Sequence, residues 1–161
     1  MTIFNENDTR FLLAHMPMPP SINQQLMPAW AQRRFIKTKE AREFDSQFEA
    51  WMWENKSELK YASASVRDLA SKGNILALDL NFYFPEDQLF TKKDTIKQLD
   101  LNNRMKSAID AVSKAIGVDD SIFFSHLAQK MVSQDKLSHF SASIYKLSPE
   151  RFLITRTIKA N

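Results

Sequence analysis

The sequence predicts an α+β fold: a single domain in which a mixed β-sheet is packed by two main helices. Residues 74–85 alternate, with Leu76, Leu78, Leu80, Phe82 and Phe84 set against Ile75, Ala77, Asp79, Asn81 and Tyr83, which is strand periodicity. Residues 101–116 carry Leu101, Met105, Ala108, Ile109, Val112 and Ile116 at helical spacing. The chain as a whole runs strand, helix, strand, helix, strands, an order that suits a mixed sheet.

Residues 1–9 read as a flexible N-terminal tail, and 10–161 as the domain. Residues 11–16 form a short strand that enters Pro17-Met18-Pro19-Pro20-Ser21-Ile22-Asn23, where the prolines hold the backbone extended. Residues 33–37 read as a second short strand. Thr38 then stands where a helix cap is needed, with Glu40 near the positive end of the helix dipole. That helix runs to about residue 59 and buries Ala41, Phe44, Phe48, Trp51 and Met52. Trp51 and Trp53 read as core and interface anchors. Residues 60–72 read as a connector with helical character around 66–70.

After the central strand, in which Asp79 takes a solvated position, residues 86–98 form a polar loop. The second helix, 101–116, ends at Gly117, the residue best suited to the left-handed position past a helix. Three strands follow at 122–131, 138–147 and 151–158, separated by turns at 133–136 and 148–150.

Composition excludes several chemistries. With 161 residues, 43% hydrophobic and 25% charged, the chain is an ordinary globular domain with room for a core. Its two glycines, Gly73 and Gly117, leave no phosphate-cradling glycine loop. Cysteine is absent, which removes thiolate ligands, disulfides and cysteine nucleophiles and suits a reducing compartment. His15, His126 and His139 show no zinc-ligand spacing. No apolar run approaches the roughly 20 residues that span a bilayer. The polar start of the chain does not read as a signal peptide, so the expected location is cytoplasmic, without a membrane partner.

The net charge of +3 is mild but unevenly spread. Arg33, Arg34, Lys37, Lys39 and Arg42 stand against Glu40 alone, and Lys92, Lys93 and Lys97 lie in the loop just before an acidic segment. Basic loops beside acids suit a polyanion held over a metal site. A plain solvated surface fits the same residues.

The acidic segment is Leu99-Asp100-Leu101-Asn102-Asn103-Arg104-Met105-Lys106, and Gly117-Val118-Asp119-Asp120 closes the helix that follows. Oxygen ligands on either side of the helix suit a hard divalent cation such as magnesium. Phosphodiester hydrolysis needs an activated water and neutralised charge on the phosphate, which such an ion supplies. Asp100 and Asp120 are the first-choice ligands, Asp119 their helper, and Lys106 a point charge for the scissile phosphate. Asp110, one turn beyond Lys106, either orients it or forms an ordinary surface pair with it. Asp119 and Asp120 also suit a simple turn.

These residues resemble the RusA-type Holliday junction resolvases, whose motif is Asp-x-Asp-Asn-x-x-Lys, a helix with a further Asp, and an Asp-Asp pair before a strand. Here the motif reads Asp100-Leu101-Asn102-Asn103-Arg104-Met105-Lys106, then Asp110, then Asp119-Asp120. The Pro19-Pro20-Ser21-Ile22-Asn23 turn is similar to that family's opening Pro-Pro-Ser-x-Asn turn. The resemblance implies a RusA-like fold and a magnesium-dependent endonuclease, with manganese able to substitute. It also implies a homodimer acting on branched DNA, the four-way junction above all. Asp100, Lys106 and Asp120 would be catalytic; Asp100, Asn102, Asp119 and Asp120 would hold metal. Asn103 and Asp110 would support them, with Lys92, Lys93, Lys97, Arg33 and Arg34 on the DNA.

One position departs from the motif: Asn102 stands where the family has its second aspartate. Its carbonyl oxygen still offers a ligand, with one negative charge fewer. Three expectations follow: an active enzyme with altered metal demand, one that recruits another acid such as Asp79 or Asp94, or a catalytically impaired junction-binding protein. A protein-interaction domain whose partner surface is built on Trp30, Trp51, Trp53 and the methionines is the reading from a different class.

Overall fold

The structure, a computed structural model, describes residues 10–30 and 33–147. The expected tail at 1–9 and the expected last strand at 151–158 lie outside the described residues. In chain order, β1 (Arg10–Pro17) leads through a 3-10 turn to the hairpin β2 (Leu26–Ala29) and β3 (Arg34–Lys37). Helices α1 (Lys39–Glu54) and α2 (Lys56–Ser71) precede β4 (Leu76–Phe84). A short α3 (Glu86–Leu89) and the long α4 (Asn102–Ile116) come next, and β5 (Phe123–Val132) and β6 (His139–Lys146) close the described chain.

The main sheet has the order β1-β6-β4-β5. β6 pairs antiparallel with both β1 and β4, whereas β4 and β5 run parallel. The α+β fold with a mixed sheet is therefore what the sequence predicts. A parallel pair needs a long crossover connection, and α4 is that crossover.

Strand alternation sorts the sheet into two faces. Leu78, Leu80, Phe82 and Phe84 of β4 join Phe140, Ala142 and Ile144 of β6 and Phe11, Leu13 and Met16 of β1 in one core. Leu59, Ala62 and Val66 of α2, Phe48 of α1, and Ala108, Ile109, Val112 and Ile116 of α4 pack into the same core. The long helices thus share one face. The other face carries Asp79, Asn81, Tyr83, His139, Ser141, Ser143 and Tyr145, the intervening residues of β4 and β6. Tyr145 donates from its hydroxyl to Asp79 at 3.0 Å, and the Gln129 amide donates to Asn81 at 2.7 Å.

Three elements differ from the sequence expectation. The first helix ends at Glu54 rather than near residue 59, because the chain bends at Asn55, whose side-chain amide donates to the Trp51 carbonyl at 2.8 Å. The expected connector, 60–72, is instead most of α2, a third long helix. β2 was not expected, since Pro28 interrupts its run; on the free side of a two-stranded ribbon a proline leaves no ladder bond unmade. Trp51 does sit against the core, its ring 5.8 Å from Phe48 and its indole N–H 3.1 Å from the Ala14 carbonyl. Trp53 is instead exposed, with the Lys56 ammonium over its ring.

Gly117 ends α4 in the left-handed region at φ 62°. A side chain there is strained by its own backbone, and a Cβ would also crowd Arg67, which donates to the Gly117 carbonyl. Gly117→Ala is expected to lower stability by about 1 kcal/mol. Leu80→Ala, which empties a fully buried place on β4, is expected to lower it by about 2–5 kcal/mol. Urea midpoints of the two variants check both values.

Candidate active site

α4 lies over the sheet between β4 and β5 in the chain, so its start follows the end of β4 and its end precedes the start of β5. Asp100 stands just before its first turn. The carboxylate accepts the backbone N–H of Asn102 at 2.9 Å and the side-chain amide of Asn103 at 2.6 Å. Asp100 therefore takes up the N–H of the helix's first residue with the same group that would hold a cation. Asn103 orients that group, and Asn102, exposed, opens the helix beside it.

Lys106 lies one turn on, exposed, with its ammonium 3.8 Å from Asp110. This is the i, i+4 pair that helix geometry favours, and on a solvated face it contributes little to stability. Asp110 also lines a groove of about 280 Å³ with Ser107 and Lys114, between α4, α1 and the β2–β3 hairpin.

The Pro17–Asn23 turn and the acidic motif, far apart in sequence, meet at this end of α4. Arg104 donates to the Pro19 carbonyl, and the Gln25 amide donates to Ser107. Burial pushes the Arg104 guanidinium below its ordinary value. Neither Arg104 nor Gln25 stands out in the sequence, where the one signal is a charged residue beside the apolar stripe of α4.

Asp119 and Asp120 stand at the far end of the same helix. The Asp119 carboxylate accepts the Ser121 N–H at 2.9 Å, and hydrogen bonds from the Ser121 hydroxyl and backbone hold it below the usual carboxylate range. Asp120 begins a 3-10 turn, exposed, and Phe123 then pairs with Leu76 at the start of β4. The 15 residues of α4 measure about 22 Å at 1.5 Å per residue. The few residues past Gly117 lead into β5 and do not return along the helix. One chain therefore gathers Asp100, Asn102 and Asn103 at the start of α4, sets Lys106 further along it, and places Asp119 and Asp120 past its other end.

The basic residues divide likewise. Lys92, Lys93 and Lys97 lie in the segment entering α4, folded by the Thr91–Thr95 turn and a Phe90–Ile96 bridge rather than left as an open loop. Lys97 donates to the Asp87 carbonyl. Arg33 and Arg34 lie at the turn end of the β2–β3 hairpin, where Arg34 opposes Ala29. Lys37 is engaged by Asp45. Of the substitute acids, Asp94 sits among the lysines of the 91–97 turn. Asp79 is on the sheet face opposite the helices, bonded to Tyr145, and does not reach α4.

Among the described residues, no helix is long and apolar enough to cross a membrane. No curated protein matches the chain. One solved structure, "IspF (Plasmodium falciparum) CDP complex", is similar at 11% identity with a TM-score of 0.31. The likeness covers 57% of this chain and 54% of that one, about half its length, and is too slight to argue from. The family model described as Endodeoxyribonuclease RusA matches residues 17–138, a span holding both the proline turn and the whole acidic motif. The chain belongs to the RusA family of endodeoxyribonucleases.

Proposed function

We propose that this protein is a magnesium-dependent endonuclease that resolves four-way DNA junctions as a homodimer, each active site drawing on both protomers. The observation that carries this reading is the placement of Asp100 and Asp120 at opposite ends of α4. A single ion takes its ligands within a few ångströms, which one chain does not offer across about 22 Å of helix. A two-fold axis that sets the start of one α4 beside the end of the other creates two equivalent sites. Each then has Asp100, Asn102 and Lys106 from one protomer and Asp119 and Asp120 from its partner. A four-way junction has two equivalent strands to cut, so two sites match the substrate.

The donors fit a hard cation: carboxylate oxygens from Asp100, Asp119 and Asp120 and an amide oxygen from Asn102. Magnesium held there supplies charge neutralisation at the phosphate and an activated water. Lys106 adds a positive charge further along the same helix, one turn on from Asn102, for the scissile phosphate, and Asp110 steadies it. Asn103 holds the Asp100 carboxylate in place. Lys92, Lys93, Lys97, Arg33 and Arg34 grip the phosphate backbone. Leu127, Met131 and Val132 leave apolar surface exposed on β5, the outermost strand of the sheet among the described residues, which supports a second copy packing there.

The first test is cleavage of a synthetic four-way junction against linear duplex, with magnesium, manganese or chelator. Paired, metal-dependent nicks on the junction alone are expected. Tight junction binding with no nicks under any metal would identify a junction-binding protein whose ligand set is incomplete at Asn102.

Asp120→Asn is expected to abolish cleavage and leave junction binding intact; full activity in that variant removes Asp120 from the site. Asn102→Asp is expected to raise the rate or lower the magnesium requirement, and an unchanged titration shows that this position is not a ligand. Asp100 separates its two roles by stability. Asp100→Ala is expected to lose cleavage together with about 0.5–2 kcal/mol of stability, the scale of losing a side chain that accepts an N–H at a helix start. Asp100→Asn is expected to lose cleavage while its thermal midpoint stays near that of the parent.

A further inference from the structure

The described residues hold a second group with ligand chemistry, away from α4. His15, Asp135 and His139 each present a ligating atom, and these atoms all lie within 4.8 Å of one another. We propose that they form a binding site for a divalent transition-metal ion, zinc by donor set, that ties the bulge of β1 to the β5–β6 turn.

Each residue arrives from a different piece of local structure. The β1–β6 register shifts between Leu13 and Met16, and His15 stands in that bulge at φ 54°, a left-handed conformation that few non-glycine residues adopt. The bulge brings its ring to 4.5 Å from that of His139, the first residue of β6. Asp135 comes from the turn between β5 and β6. Its carboxylate is held by the Ser133 hydroxyl and by the Leu137 N–H at 2.9 Å. The Tyr83 ring stacks on His139 at 4.6 Å from the other side. Asp135 and His139 are thus each held by neighbours of their own, as metal-ligand side chains commonly are.

A ring stack alone explains His139 between Tyr83 and His15, but not the carboxylate that meets both imidazoles. Burial first, and then the neighbouring His15, push the His139 imidazole down toward the neutral ring. Hydrogen bonds from Ser133 and Leu137 hold Asp135 below the usual carboxylate range. Tetrahedral zinc with bonds of about 2.0–2.1 Å sets its ligands roughly 3.4 Å apart. His15 and Asp135 are exposed, so side-chain rotation closes the remaining gap. Three protein ligands leave a position for water. Two imidazoles with one carboxylate select zinc and its transition-metal neighbours over magnesium. This site is therefore chemically distinct from the oxygen-only donors around α4, and the inference does not rest on the nuclease reading.

Cobalt(II) is the probe, because it substitutes for zinc and has visible ligand-field absorption. Metal-stripped protein titrated with cobalt in a large excess of magnesium is expected to take up one ion per chain with visible bands. Asp100→Asn and Asp120→Asn are expected to keep them. The double variant His15→Ala, His139→Ala is expected to lose them while retaining the parent far-UV circular dichroism. Should that variant not fold, Asp135→Asn, which keeps the side-chain size, is expected to bind at least tenfold more weakly. No cobalt uptake by the parent protein, bands that persist in the folded double variant, or an unchanged affinity in Asp135→Asn overturns the proposal.

Discussion

The parallel pairing of β4 with β5 is the constraint from which the rest of this structure follows. Two strands running the same way must be joined by a segment that returns the length of the sheet, and α4 is that segment. Its apolar face, with Ala108, Ile109, Val112 and Ile116 buried, locks it over β4 and the neighbouring strands. Its length then fixes how far apart its two ends stand. The carboxylate of Asp100, bonded to the first N–H of α4, is held at one end, and the Asp119-Asp120 pair at the other, where Gly117 turns the chain into β5.

Packing and chemistry are therefore coupled through one helix. Met105 packs against the core from the same helix that presents Lys106 to solvent. Asp100 satisfies one helix N–H, that of Asn102, while remaining exposed. Arg104 ties the proline turn to the first turn of α4, so the two stretches that mark the family support one another physically. The sheet's opposite face is built on another principle. There Asp79, Tyr145, Asn81, Gln129 and the His15–His139 pair replace apolar contact with polar and aromatic pairing, and that face holds the second ligand group.

Much of this was legible in the sequence, because alternation in β4 and helical spacing in α4 are strong local signals. Thr38 caps α1 as expected, accepting the Ala41 N–H at 3.1 Å, and Gly117 ends α4. Residues 60–72 were misread as a connector because their stripe of Leu59, Ala62 and Val66 is built partly of small residues. The break at Asn55 carries neither glycine nor proline. The spacing of acids around α4 was visible, but helix length, not spacing, decides whether they meet, and it keeps them apart within one chain. The ligand group of His15, Asp135 and His139 was invisible because a strand bulge and a strand pairing bring together residues more than a hundred positions apart.

The central claim is that an active site needs the start of α4 from one protomer and the end of α4 from the other. Mixing two individually inactive variants, Asp100→Asn and Asp120→Asn, after subunit exchange tests it most directly. In a mixed dimer, one shared site keeps both its intact Asp100 and its intact Asp120. Shared sites therefore predict that nicking of a four-way junction returns on mixing, with one strand cut per binding event. If mixtures stay as inactive as either variant alone although mixed dimers form, each site lies within a single chain and the account is contradicted.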